Sequence, residues 1–207
     1  MAENKYNFSN KKELLSLLRE QLIAGDDDII WAKEKVKQKL LQTPELLYAL
    51  HNEELESELF NEDGTLNTEG EWDRYFGETS NIRPYVLFPE VQDSVHNYVC
   101  YKVDFNNISS VNSIEKYCRL TFGIFVSDKD TIDKNTGIPR HDLIATILRR
   151  TFNWSNILGN QCVLRASEEA VTSNDFLTRN IVFEAKIPNS ITETRNGNVR
   201  VINKIGV

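Results

Sequence analysis

Three residues near the C-terminal end of the chain have the types and spacing for hydrolytic metal chemistry. Glu184 and Lys186 flank Ala185 at the end of an apolar run, so on a strand both side chains share one face. Asp175 lies upstream. Two carboxylates holding Mg²⁺, with a lysine beside the attacking water, would suit cleavage of a phosphodiester. The same three positions also fit an exposed strand face with alternating charges, and so short a pattern arises easily by chance.

Other clusters say less. Asp128, Asp130, Asp133, Asn135 and Gly137 suggest a calcium loop. With Asp128 in first position, however, Ile132 stands fifth and Asp133 takes the place of the turn glycine. The segment therefore reads as a solvated loop feeding a helix. His51, His96 and His141 have neither the mutual spacing nor the cysteine neighbours of a zinc site. Arg149 and Arg150 could meet phosphates, but cations near a helix C-terminus are expected from the helix dipole alone. There is no glycine-rich phosphate loop and no nucleophile elbow. The expectation is a protein without catalytic residues, metal or cofactor.

The elements that would position these side chains centre on residues 117–126. Cys118, Leu120, Phe122, Ile124 and Val126 point one way, and Tyr117, Arg119, Thr121, Gly123 and Phe125 the other. An apolar strand face needs a cover. Residues 139–152 supply one, because Ile144, Ile147, Leu148 and Phe152 recur at helical spacing. Val99, Tyr101, Val103 and Phe105 predict a neighbouring strand over 98–105, returning through a polar loop at Asn106 and Asn107. Two more strands are expected over 162–167 and 177–187, the last with Ile181, Phe183, Ala185 and Ile187 inward. The order strand, strand, helix, strand, strand predicts an α+β fold, an antiparallel sheet with a helix packed on one face.

Residues 1–60 read as a helical N-terminal extension. Asn10 with Glu13 resembles a capping box, and Leu14, Leu18 and Leu22 form a stripe that Gly25 ends. A second helix follows Asp26, Asp27 and Asp28, burying Ile29, Ala32, Val36 and Leu40; a third opens at Thr43 and Pro44. Residues 61–82 form a long polar loop held down by Trp72, Tyr75 and Phe76. The α+β core domain spans 83–188, with a short strand expected over 83–88, and a C-terminal arm spans 189–207. In the arm, Asn196-Gly197 between β-prone residues is a strong hairpin signal.

Composition sets the outer bounds. The 207 residues are 40% hydrophobic, enough for a core, and the net charge of −7 argues against a surface that grips nucleic acid throughout. Cys100, Cys118 and Cys162 are odd in number and read as buried small hydrophobes in a reducing compartment. No basic-then-apolar leader opens the chain and no apolar run approaches the ~20 residues that span a bilayer, so a soluble intracellular product without membrane contact is expected.

The segment 85–187 resembles phage tail-terminator and head–tail joining (connector) proteins. The resemblance rests on Tyr85-Val86-Leu87-Phe88-Pro89, the strand from Tyr98 to Val103, the strand from Tyr117 to Val126 with its loop, the helix start Arg140-His141-Asp142-Leu143-Ile144, and the strand from Asn180 to Ala185. Thr43-Pro44-Glu45-Leu46-Leu47 in the helical piece also looks like those proteins. It implies a non-enzymatic virion subunit forming a homo-oligomeric ring at the head–tail junction. The ring would contact the portal or neighbouring connector and tail proteins, and DNA would pass through without sequence-specific binding. The family carries no catalytic residues over. The alternative is a metal-dependent nuclease of the PD-(D/E)xK type using Asp175, Glu184 and Lys186. The arm follows Pro188, which cannot extend a ladder, and an isolated hairpin is marginal in water. Either a neighbouring subunit holds it, through interface residues such as Ile191, Arg195, Val199, Val201 and Ile202, or it folds back on its own sheet.

Overall fold

Alternation of apolar and polar residues fixes the two faces of the sheet. The computed structural model describes residues 10–13, 15–16, 28–77, 80–86, 97–108, 115–173, 176–188, 191–193 and 199–201. Five strands make the main sheet: β1 (Ile82–Arg83), β2 (Tyr98–Ile108), β3 (Glu115–Ser127), β4 (Val163–Ser173) and β5 (Phe176–Pro188). Their spatial order is β1-β2-β3-β5-β4. The long strands are antiparallel to one another, with Phe122 opposite Tyr101 on β2 and Ile181 on β5. The order strand, strand, helix, strand, strand holds.

Three features depart from the sequence expectation. The edge strand β1 runs parallel to β2, so the sheet is mixed. It also ends at Arg83 instead of running on toward Phe88, because Pro84 has no N–H for the ladder; residues 87–90 lie outside the described residues. In addition, Asn106 and Asn107 belong to β2, which continues past a bulge to Ile108, and are not a return loop.

The inner face of β3 (Cys118, Leu120, Phe122, Ile124 and Val126) is buried in one large cluster. The predicted helix is α4 (Arg140–Phe152), which places Ile144, Ile147, Leu148 and Phe152 against it. The Phe122 ring centre lies 4.9 Å from Phe152, 6.0 Å from Phe183 and 6.2 Å from Tyr101. Such aromatic packing adds specificity to area burial.

The N-terminal helices share this core. In α1 (Asp28–Leu41), Ala32, Val36 and Leu40 are fully buried at i, i+4 spacing, and Tyr101 donates its hydroxyl to Lys33 O at 3.1 Å. Two short helices follow, α2 (Pro44–Ala49) and α3 (Glu56–Leu59). Thr43 precedes α2 but makes no side-chain cap there; its hydroxyl donates back to Lys39 O at 2.8 Å and closes the end of α1. Asn10 does cap, its Oδ1 accepting from Glu13 N at 3.0 Å. Leu14, Leu18, Leu22, Gly25, Asp26 and Asp27 lie outside the described residues.

In the loop after α3, a 3₁₀ turn at Trp72–Tyr75 buries Tyr75, as the aromatic content implies. The Trp72 indole donates to Glu58 O at 2.8 Å, and a Cβ at Gly70 would collide with that same carbonyl, so only glycine fits. On the sheet's outer face, Tyr98, Cys100, Phe125 and Phe176 form a second, smaller cluster. The Phe125 ring lies back over Gly123, where an added Cβ would meet it at 3.1 Å. All three cysteines are free and buried.

If Phe122 and Leu148 hold sheet and helix together, Phe122→Ala and Leu148→Ala will each destabilise by about 2–5 kcal/mol in denaturant unfolding. Thr121→Ala, one residue away on the outer face, will cost clearly less. Equal losses at 121 and 122 would place the strand register wrong by one.

Candidate functional site

The outer sheet face carries Glu184 and Lys186, two of the residues singled out for metal chemistry, and both already have charged partners there. Glu184 sits opposite Arg119 in the β3–β5 ladder. Its Oε2 accepts from Arg165 Nε at 3.0 Å, and its Oε1 lies 3.7 Å from Arg119 Nη2. Lys186 donates to Glu115 Oε2 at 3.0 Å and lies over the Tyr117 ring at 5.7 Å. The Glu115 carboxylate holds the Lys186 ammonium above its usual range, mainly through that hydrogen bond. Lys102 and Asp104 pair at 2.9 Å farther across the same face. Glu184 and Lys186 therefore share a face, as the sequence requires, but as rungs of a cross-strand charge ladder. Asp175 lies outside the described residues. Among the described residues no three His, Cys, Asp or Glu side chains are grouped as a metal ion would need.

The aspartate loop is largely solvated, as expected, with Asp128, Asn135 and Gly137 exposed, but two of its aspartates are not. Asp130 and Asp133 are buried, and the reason is Arg140, only 2% exposed at the first residue of α4. Arg140 Nε and Nη2 reach the two Asp130 carboxylate oxygens at 3.0 Å each, while Nη1 donates to Ala49 O at 3.1 Å. Asp130 Oδ2 also accepts from Asn97 Nδ2 at 2.8 Å and meets His51 Nδ1 at 2.8 Å. Asn97 in turn donates to Leu50 O at 3.1 Å, and its Oδ1 accepts from Ser127 N at 3.1 Å. Asn81 donates to Asn97 O at 2.8 Å and accepts from Asn52 at 2.7 Å. Burial works to raise the Asp133 carboxyl, but hydrogen bonds from Thr136 and the nearby Arg140 and His51 hold it below its usual range. This knot joins the α2 end, the start of β2, the end of β3 and the start of α4. Sequence reading missed it. The available signal was Arg140 itself: a cation at a helix N-terminus opposes the dipole and calls for a dedicated carboxylate.

A second knot holds the other side of that helix start. His141 is buried, with Nε2 3.6 Å from Glu169 and 3.7 Å from Asp142. Arg179 Nη2 bridges the same two carboxylates, at 2.6 Å from Asp142 and 3.4 Å from Glu169. His141 thus sits in the first helical turn, as expected. Arg149 and Arg150 occupy the last turn of α4, and Arg150 pairs with Glu45 at 2.8 Å.

In the arm, β6 (Ile191–Glu193) pairs antiparallel with β7 (Val199–Val201), Ile191 opposite Val201 and Glu193 opposite Val199. The predicted hairpin forms as its own two-stranded sheet. Arg195 and Ile202 lie outside the described residues, as does the Asn196-Gly197 turn.

A residue the sequence reading passed over completes the surface. Trp154 follows α4 in a left-handed conformation, φ +64°, and is 61% exposed. Its N–H donates to Cys162 O at 2.7 Å and Cys162 N donates to Ser155 O at 2.8 Å, so the loop is fixed at both ends.

The fold and these surfaces define an α+β protein with a closed helical side, a charge-laddered outer sheet face and a separate C-terminal arm. The chain matches the YomW family over residues 43–185, well over half its length, and belongs to that family. It is a phage-associated family, named after a Bacillus prophage gene. No curated protein matches the chain. Among the described residues no helix is long and apolar enough to cross a membrane.

With Arg140 sealed from water, Asp130→Ala will cost about 3–5 kcal/mol, the penalty for stranding a buried charge. Adding Arg140→Met to that variant will cost little more or recover part of the loss in a double-mutant cycle. Fully additive losses would mean the two residues are not coupled.

Proposed function

We propose that this protein is a non-enzymatic structural subunit of a phage particle, assembling with its own copies into a ring at the head–tail junction. The observation that carries this reading is the arm. Among the described residues, 191–193 and 199–201 are paired only with each other, and no strand pairs with the outer edge of β4 or with β2 beyond Cys100. A two-stranded ribbon is marginal in water by itself, and an open sheet edge accepts a strand from another chain. Head-to-tail repetition of one such contact closes a ring when the rotation allows it. The phage-associated family supports the setting. In this reading the portal or an adjoining neck or tail protein is the axial neighbour, the assembled location is the virion, and DNA crosses the lumen without sequence-specific contacts. The net charge of −7 suits a passage that does not hold DNA.

Truncation after Pro188 tests the arm. The shortened protein is expected to keep its secondary structure and melting temperature while losing ring formation. A truncated chain that unfolds, or one that still assembles, would rule the arm out as the assembly device.

The non-enzymatic part has its own test. Incubated with duplex or single-stranded DNA and Mg²⁺ or Mn²⁺, the protein should leave the DNA intact over hours. Cleavage abolished by Glu184→Ala would instead establish the nuclease alternative.

A further inference from the structure

A tryptophan held at φ +64° is costly by about 1–3 kcal/mol and persists only where the surroundings enforce it. Here they do. Trp154 N donates to Cys162 O, Ser155 Oγ donates to Phe152 O at 2.7 Å, and Leu164 N donates to Asn153 Oδ1 at 3.0 Å. Leu158 is buried beneath the loop. All this rigidity presents an indole that is 61% exposed, the most exposed large apolar side chain among the described residues. A large aromatic fixed in place loses little conformational entropy on docking, the property of interface anchors. The last turn of the helix before it carries the exposed Arg149 and Arg150, of which Arg150 is already paired with Glu45.

The same chain carries a surface of complementary charge. From Glu53 to Asp73 there are nine acidic residues and no lysine or arginine. All but Glu58 are exposed, and Glu58 is the one taken by Arg74 at 3.0 Å. Beside this band lies an open depression lined by Leu41, Gly70, Glu71, Trp72, Asp73 and Arg74, the last already paired with Glu58, so the free charge of its rim is acidic and Leu41 and Trp72 supply its apolar surface. An aromatic-basic knob and an acidic, partly apolar depression at different places on one chain make a heterologous contact, the kind that propagates head to tail.

We propose that Trp154 and Arg149 form the knob that docks on the 53–73 acidic band of a second copy, so that each subunit contributes its knob to one neighbour and its band to the other. This rests on the ring reading above and adds a second lateral contact beside that of the arm.

Sedimentation velocity of the full-length protein over a concentration series, at about 50 mM and about 500 mM salt, tests it. Association of the wild type should weaken at the higher salt. Trp154→Asn should weaken association at least tenfold while melting at or above the wild-type temperature, since asparagine tolerates the left-handed conformation that strains tryptophan. Arg149→Glu, or the triple change Glu69→Lys, Glu71→Lys and Asp73→Lys, should each weaken association, and combining the two sets should restore it in part. Wild-type association in all these variants would overturn the docking assignment and leave the ring reading standing. Loss with the knob variants alone, and none with the band variants, would overturn the band as partner and point to a different occupant. A wild-type protein monomeric at every concentration would overturn both.

Discussion

An arginine sealed from water at the first residue of a helix has to be neutralised in place, and the way Asp130 does so determines how the rest of the chain is arranged. The Asp130 carboxylate takes the Arg140 fork, Asn97 and His51 together. With Asp130 they come from four separate parts of the chain, and neither Arg140 nor Asn97 can shift without stranding a buried polar atom. Ala49 O and Leu50 O, at the end of α2, are also satisfied here. The helical region is therefore bound to the sheet by hydrogen bonds at one end and by the shared apolar core along its length. Asp142, Glu169 and Arg179 then fasten the same helix start to β4 and β5.

With the helical core closed in this way, the surfaces left for partners among the described residues are the outer sheet face, the open strand edges, the arm, the Trp154 loop and the acidic band after α2. The outer face is charged but internally balanced: Arg119 and Arg165 on Glu184, Glu115 on Lys186, Lys102 on Asp104. Exposed pairs of this kind contribute little to stability and are screened by salt. They do keep a broad sheet face soluble and free of a net field. The unbalanced charge lies elsewhere, in the acidic band after α2. The separation of balanced face, acidic band and aromatic knob gives the chain distinct sides, which head-to-tail assembly needs.

Much of this was readable from residue patterns where one physical rule dominates. The alternation from Tyr117 to Val126 gave the register of β3 because only one face has helices over it. The 3.6-residue spacing of Ile144, Leu148 and Phe152 gave α4 for the same reason, and Asn10 caps as its type predicts. Tertiary contacts decided the rest. Asp130 and Asp133 look like solvent-loving loop residues until a buried guanidinium stands between them and the core. Thr43 looks like an N-cap, yet its hydroxyl serves the helix before it. The two-residue β1 is too short for any periodicity to show, and its parallel direction depends on the loop before it. Trp154 is invisible to patterning because its importance lies in a backbone angle and in exposure, neither of which a residue type encodes.

The central claim, that copies of this phage-associated chain close into a ring, is tested most directly by negative-stain electron microscopy of the purified full-length protein, alone and mixed with the portal of the same phage. The account predicts annular particles of uniform diameter with a central hole, seated on the portal in the mixture. Monodisperse single subunits in both samples, with bare portals, would contradict it.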